Sequence, residues 1–245
     1  MPNFNTCIPR TLLPAKTTEE ADIQLAPQDR PKPLAAVADK LWQAPVRLTV
    51  GFLDQPSPEL RRRILSHMNA WNRTANIEFA ETEDLTDADV RINRQPTNDH
   101  SWQGYWSYLG TDILKYHGPY NQTMNLENFT MNTHDSEFYR VVRHETGHTL
   151  GFPHEHMRPE LVAKIDREKA IAFYGKYAGW TPEQVVQQVL TPLDPKGLTA
   201  TLNADPKSIM AYQVPGTITQ DGQPIIGGLD IDETDYEFCG RLYPK

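Results

Sequence analysis

The spacing of apolar and polar positions along this 245-residue chain changes several times, and each change marks an element. In "VRLTVGFL", residues 46 to 53, apolar and polar side chains alternate as in a strand with one buried face. Leu60, Ile64, Met68 and Trp71 then recur three or four residues apart, which predicts a helix of about four turns. Ser57 caps its start, and Pro58 takes the first helical position, where an N–H has no partner anyway. "NIEFAE" (76 to 81) and "ADVRINR" (88 to 94) read as two further strands, and "GYWSYLGTDIL" (104 to 114) as another with glycine breaks. A strand, a helix and then several strands predict a mixed sheet with helices packed on it.

Helical spacing returns after Asp135 and runs through "EFYRVVRHETGHTL" to Gly151, a residue type that commonly closes helices in the left-handed conformation. Thr181-Pro182-Glu183-Gln184 supplies a cap, a first-turn proline and a capping-box glutamine, with Val185, Val189 and Leu190 turned inward. Asp230 or Asp232 caps a last helix whose apolar face is Tyr236, Cys239 and Leu242 or Tyr243. Residues 1 to about 44 have proline too often for regular structure and read as an extended N-terminal arm, which leaves 45–245 as the folded domain.

A hydrophobic fraction of 38% and a charged fraction of 23% are those of a folded chain, and this length can bury a core unaided. The net charge of -8, with no basic cluster beyond Arg61, Arg62 and Arg63, argues against nucleic acid as a partner. No apolar run approaches the roughly 20 residues that cross a bilayer, so no membrane insertion is expected. "MPNFNTCIPR" lacks the apolar core of a signal peptide. The two cysteines, Cys7 and Cys239, exclude a disulfide-dense scaffold and allow one bridge or none.

The chemistry concentrates in "HETGHTLGFPHEH", residues 144 to 156. Four residues apart on a helix, His144 and His148 can aim ring nitrogens at one point, a geometry that suits zinc. Glu145 is rotated from His144 by roughly 100°, which puts its carboxylate beside a metal and not necessarily on it. A catalytic zinc keeps three protein ligands and one open position, and His154 is the candidate third ligand. It lies six residues beyond His148, so the chain must turn back; Gly151 permits positive φ, and Pro153 cannot continue a helix. His156 is expected to lie beside the site or in solvent, and His67, His100, His117 and His134 on the surface or in loops.

The spacing HExxHxxGxxH resembles the zinc signature of the metzincin peptidases, and the continuation "GFPHEHMRPE" is closest to the astacins. "SIMAY", 208 to 212, is similar to the astacin methionine turn, and "LDIDETDYEFCGRLYP" resembles the family's last helix. The resemblance implies an α+β metzincin-like fold: a twisted, mixed five-stranded sheet with an antiparallel edge strand, packed on long helices. An active-site cleft would divide an N-terminal subdomain, 45–151, from a C-terminal one, 152–245. It further implies a monomeric, exported zinc metalloendopeptidase with a protein or peptide substrate and one catalytic zinc ion. Glu145 would be the general base, Met210 an apolar floor under the histidines, and Tyr212 a swinging fifth ligand that donates to the tetrahedral intermediate. Substrate would lie along the edge strand at Trp106, Ser107 and Tyr108. Glu155 matches the glutamate that in astacins pairs with the new N-terminus after activation.

Three alternatives stay open at this point. Cys7 on the arm could ligate the zinc and keep the enzyme latent, bridge to Cys239, or remain a free thiol. The site could belong to a non-catalytic, zinc-stabilised binding domain, although a purely structural site needs no general base at Glu145. It could also serve a zinc hydrolase of a non-protein amide.

Overall fold

A computed structural model describes residues 35–96, 103–116, 118–200 and 203–245. Its main sheet has five strands in the order β3-β2-β4-β6-β5: β2 (Val46–Phe52), β3 (Ile77–Glu81), β4 (Val90–Asn93), β5 (Tyr105–Ser107) and β6 (Met124–Leu126). The pairs β2–β3, β2–β4 and β4–β6 are parallel, whereas β5 runs antiparallel to β6 at the end of the order. Helix α1 (Pro58–Met68) begins where the sequence predicts, with Ser57 Oγ accepting from the Leu60 N–H, and buries Leu60, Ile64 and Met68. Trp71 is buried in the short helix that follows.

The stretch 104–114 is shorter as a strand than its pattern suggests. The Tyr108 N–H still donates to the Thr123 carbonyl at 3.1 Å, and the chain then leaves the sheet for a 3-10 helix, Gly110–Lys115. Gly110 turns it at φ +50, and a Cβ there would lie 1.9 Å from the Lys40 carbonyl oxygen. The glycine break is visible in the sequence, whereas the close approach of Lys40, seventy residues away, is not.

The end of the predicted arm belongs to the folded part. Strand β1 (Ala35–Val37) pairs antiparallel with β7 (Leu198–Ala200), and both Ala35 and Ala36 are buried. A 3-10 turn, Ala38–Lys40, continues it.

Two helical turns, α2 (Asp135–Glu137) and the π-helical Phe138–Val142, run without a break into α3 (Arg143–Thr149). His134 caps this helix by accepting from the Ser136 N–H, a role its position just before Asp135 could have revealed. Beyond it come α4 (Pro159–Val162), α5 (Arg167–Ala178) and α6 (Pro182–Val185), the last with the predicted Thr181–Gln184 capping box and a π-helical continuation, Val186–Leu190. Helix α7 (Glu233–Leu242) is capped by Asp232.

The buried apolar residues form two clusters. The larger one joins the sheet, α1 and the active-site helix, and α7 returns to it through Tyr236, Phe238 and Cys239, followed by Tyr243 just past its end. The smaller one gathers Leu161, Tyr174, Val185, Val189 and Ile218. Met210 belongs to the first cluster and Tyr212 to the second, so the segment 208–212 spans the seam between them. Among the described residues no helix is long and apolar enough to cross a membrane.

Candidate active site

The site hangs on the C-terminal end of α3. Gly151, at φ +96, closes the helix: the Phe152 N–H reaches the Gly147 carbonyl at 3.0 Å and the Gly151 N–H reaches that of His148 at 2.9 Å. That is the paired pattern of a left-handed glycine cap. Trp71 Nε1 donates to the carbonyl of Arg143 at the start of α3, and two distant side chains take up carbonyls at its end, Trp42 Nε1 that of Thr149 and the Tyr243 hydroxyl that of Leu150. Terminal carbonyls have no partner within their own helix, so these bonds fix its end in place.

The turn brings His154 back to the helix. His154 Nε2 stands 3.3 Å from His144 Nε2 and 3.1 Å from His148 Nε2. Metal–nitrogen bonds of about 2.0–2.1 Å in a tetrahedron give nitrogen separations of about 3.3–3.4 Å, so the spacing fits zinc. Two of the rings are oriented from behind: His144 Nδ1 donates to the Ile209 carbonyl at 2.6 Å, and His148 Nδ1 to that of Phe152 at 2.7 Å. A carbonyl only accepts, so the proton sits on Nδ1 and the Nε2 lone pair faces the common point. Such outer bonds are the usual support of metal-binding histidines.

Burial keeps all three rings neutral, the form that binds metal. It lowers His144 to about 4 and moves His148 and His154 well below the ordinary histidine value, with the neighbouring histidines adding to the effect on the last two. Among the described residues this is the one group of three or more such side chains whose ligand atoms come together. Glu145, between two of the histidines in sequence, is buried with them.

The segment 208–212 supports the histidines from below. A Cβ on Gly147 would lie 2.4 Å from Met210 Sδ, so the absent side chain is what lets Met210 lie against the helix between His144 and His148. Asp235 on α7 holds the segment, accepting from Ser208 Oγ at 2.6 Å and the Ile209 N–H at 3.0 Å. The Ile209 carbonyl is the one that orients His144, so α7 reaches the site through a single residue of the turn. Glu155 binds it from the other side: its N–H donates to the Met210 carbonyl, and its Oε1 accepts from the Asp205 N–H. Burial pushes the Glu155 carboxyl up to about 8, against the nearby Arg158.

Gly228 closes the arrangement. Its N–H donates to the Ser208 carbonyl, and a Cβ there would lie 2.4 Å from both Ile209 N and Cα, which are backbone and cannot step aside. Gly228→Ala is expected to cost about 1–3 kcal/mol in chemical unfolding, the range for overpacking. Gly197→Ala, with open space around it and no positive φ, should stay within about 0.5 kcal/mol and serves as the control. Equal stability of the two variants would contradict this packing.

Of the predicted site residues, the structure gathers His144, His148, His154, Glu145, Met210 and Tyr212 at one place. The Tyr212 ring centroid is 4.2 Å from that of His154. Trp106, Ser107 and Tyr108 are buried, and Ser107 Oγ lies 3.0 Å from Thr149 Oγ1, which ties β5 to the active-site helix. His156 is fully buried and lies beside the site, one of its two expected places, whereas His67 is half-buried between Phe138 and Tyr139 rather than at the surface. Cys239 is a buried free thiol. Cys7, like His100 and His117, lies outside the described residues. Asp235, Gly147 and Gly228 were not anticipated; the capping box Asp232–Asp235 was the one local signal for the first of them.

A five-stranded mixed sheet, a helix bearing two histidines, a third returned by a glycine turn and a methionine turn beneath them define a metzincin zinc metallopeptidase. The family model for Astacin, a peptidase family, matches residues 35–226, and the chain belongs to that family. The match begins at the buried β1. Two solved structures of myroilysin are similar, each at 29% identity. The first, with a TM-score of 0.77, covers 86% of this chain and 98% of its own; the second, at 0.61, covers 84% and 86%. High choriolytic enzyme 1, a hatching enzyme zinc-protease from Oryzias latipes (Medaka fish), shares the fold at 20% identity and a TM-score of 0.53, covering 84% of this chain and 95% of its own. No curated protein sequence matches the chain.

Proposed function

We propose that this astacin-family metallopeptidase is an endopeptidase that hydrolyses internal bonds of extended peptides, with Glu145 as general base and Tyr212 as a hydrogen-bond donor. The convergence of three neutral imidazole nitrogens, with His154 Nε2 3.3 and 3.1 Å from the other two and a buried carboxylate next in sequence to one of them, carries this reading. His144, His148 and His154 would hold a zinc ion, which would supply a Lewis acid at this point. Glu145 then takes a proton from water as the carbonyl is attacked and returns it to the leaving amine, the work of a carboxylate within hydrogen-bond reach.

The Tyr212 hydroxyl donates to the oxygen on which charge develops. A donor of that kind is worth about 10²–10³ in kcat. Substrate extends along β5, the last strand in the sheet order, where main-chain pairing accepts varied sequences. The bond from Ser107 to Thr149 keeps that strand in register with the helix bearing Glu145. Intact Glu145 favours this over a zinc-stabilised binding domain.

We further propose that the catalytic domain includes β1, where the family match begins, and acts as an exported monomer. Mass spectrometry of products from a mixed peptide library tests the endopeptidase reading. Cuts two or more residues from both ends are expected; release of single terminal residues alone, or cleavage confined to non-peptide amides, would contradict it.

A further inference from the structure

One buried side chain outside the metal-binding triad holds Tyr212 in two ways. The rings of His154, His156 and Tyr212 form a triangle with centroid separations of 4.2, 4.3 and 5.1 Å. Against Tyr212, His156 lies nearly parallel, with 13° between the planes. Its Nδ1 accepts from the Tyr212 main-chain N–H at 3.3 Å, and its Nε2 donates to the Gln188 carbonyl at 3.2 Å. One neutral tautomer satisfies both bonds. Gln188 belongs to the π-helical turn Val186–Leu190, whose Val189 sits in the smaller apolar cluster, so His156 is anchored to that cluster.

We propose that His156 is a positioning residue for Tyr212: it fixes both the main chain and the ring, and so sets where the phenol hydroxyl stands relative to the three histidine nitrogens. The hydroxyl is at the far end of the ring, so a small rotation of the side chain displaces it by about an ångström, and a misplacement of that size can cost on the order of 10²-fold in rate. The inference rests on the reading of Tyr212 as a donor in the reaction. It is distinct from metal ligation, because both His156 nitrogens are already engaged.

Two variants separate the parts of the interaction. His156→Asn keeps an acceptor near the Nδ1 position and removes the ring, while His156→Phe keeps the ring and removes both polar bonds. Each is expected to lower kcat on a quenched peptide about tenfold with KM within about twofold, the pattern of an interaction made in the transition state. In a Tyr212→Phe background neither change should lower kcat further, since residues acting through one group are non-additive. A second readout is independent of cleavage: cobalt(II) in place of zinc gives a visible band that follows the groups around the ion. Tyr212→Phe is expected to shift it, and His156→Asn to shift it in the same direction.

Full kcat in Tyr212→Phe overturns the reading of Tyr212 and this proposal with it. Full kcat in both His156 variants beside a crippled Tyr212→Phe overturns the proposal alone. So does a double variant whose loss is the product of the single losses, or a cobalt band that Tyr212→Phe shifts and His156→Asn does not.

Discussion

Glu145→Gln is expected to lower kcat/KM for peptide cleavage by about 10²–10⁴, the usual contribution of a general base, while the protein still holds one zinc per chain. The amide has the shape of the carboxylate but cannot accept the proton. Zinc should stay because the bonds that orient the ligands lie elsewhere, from His144 to Ile209 and from His148 to Phe152. The main-chain carbonyl of Glu145, which accepts from Thr149 Oγ1, is untouched by the change. Steady-state kinetics beside metal analysis reads both quantities. Activity within tenfold of wild type would remove Glu145 from the chemistry, and loss of zinc would show it to be part of the cradle.

His148→Ala is expected to fail earlier, at metal binding. Losing an outer partner of a ligand already costs about 10–100-fold in affinity, and losing the ligand itself should exceed that. The Phe152 carbonyl also loses a donor, one of the bonds that tie the turn carrying His154 to the helix. A zinc-competition titration should show weakening beyond about a hundredfold with cleavage lost in parallel. Wild-type affinity would mean that the three nitrogens are not the ligand set.

Much of the fold and site is legible in the sequence where the interaction is local. Caps at Ser57, Thr181 and Asp232 announce themselves because donor and acceptor are three residues apart. The helix bearing His144 and His148, and the turn at Gly151, follow from spacing and from the one residue type that accepts φ +96 without strain. What escapes the sequence depends on contacts far along the chain. Ala35 and Ala36 look like part of an irregular arm, yet β1 pairs with a strand that begins 163 residues further on, 198 against 35. Gly110 is required because Lys40 occupies the space a side chain would need, and Gly228 because Ile209 lies against it.

The supports behind the metal site are hidden for the same reason. Asp235 completes a capping box with Asp232, and its second task, holding the residue that orients His144, depends on α7 packing beneath Ser208 and Ile209. His156 follows the third histidine by two positions and reads as a bystander, but the turn after His154 carries it inward against Tyr212. Short motifs identify the atoms that could touch a metal; the residues that aim them are set by tertiary approach.

The measurement that bears most directly on the central claim is cleavage of a quenched peptide by the full-length protein before chelation, after removal of metal, and after stoichiometric zinc is returned. Activity that disappears with the metal and returns with one zinc per chain is the predicted result. Cleavage that persists in metal-free protein would contradict the assignment of His144, His148 and His154 as the catalytic zinc site.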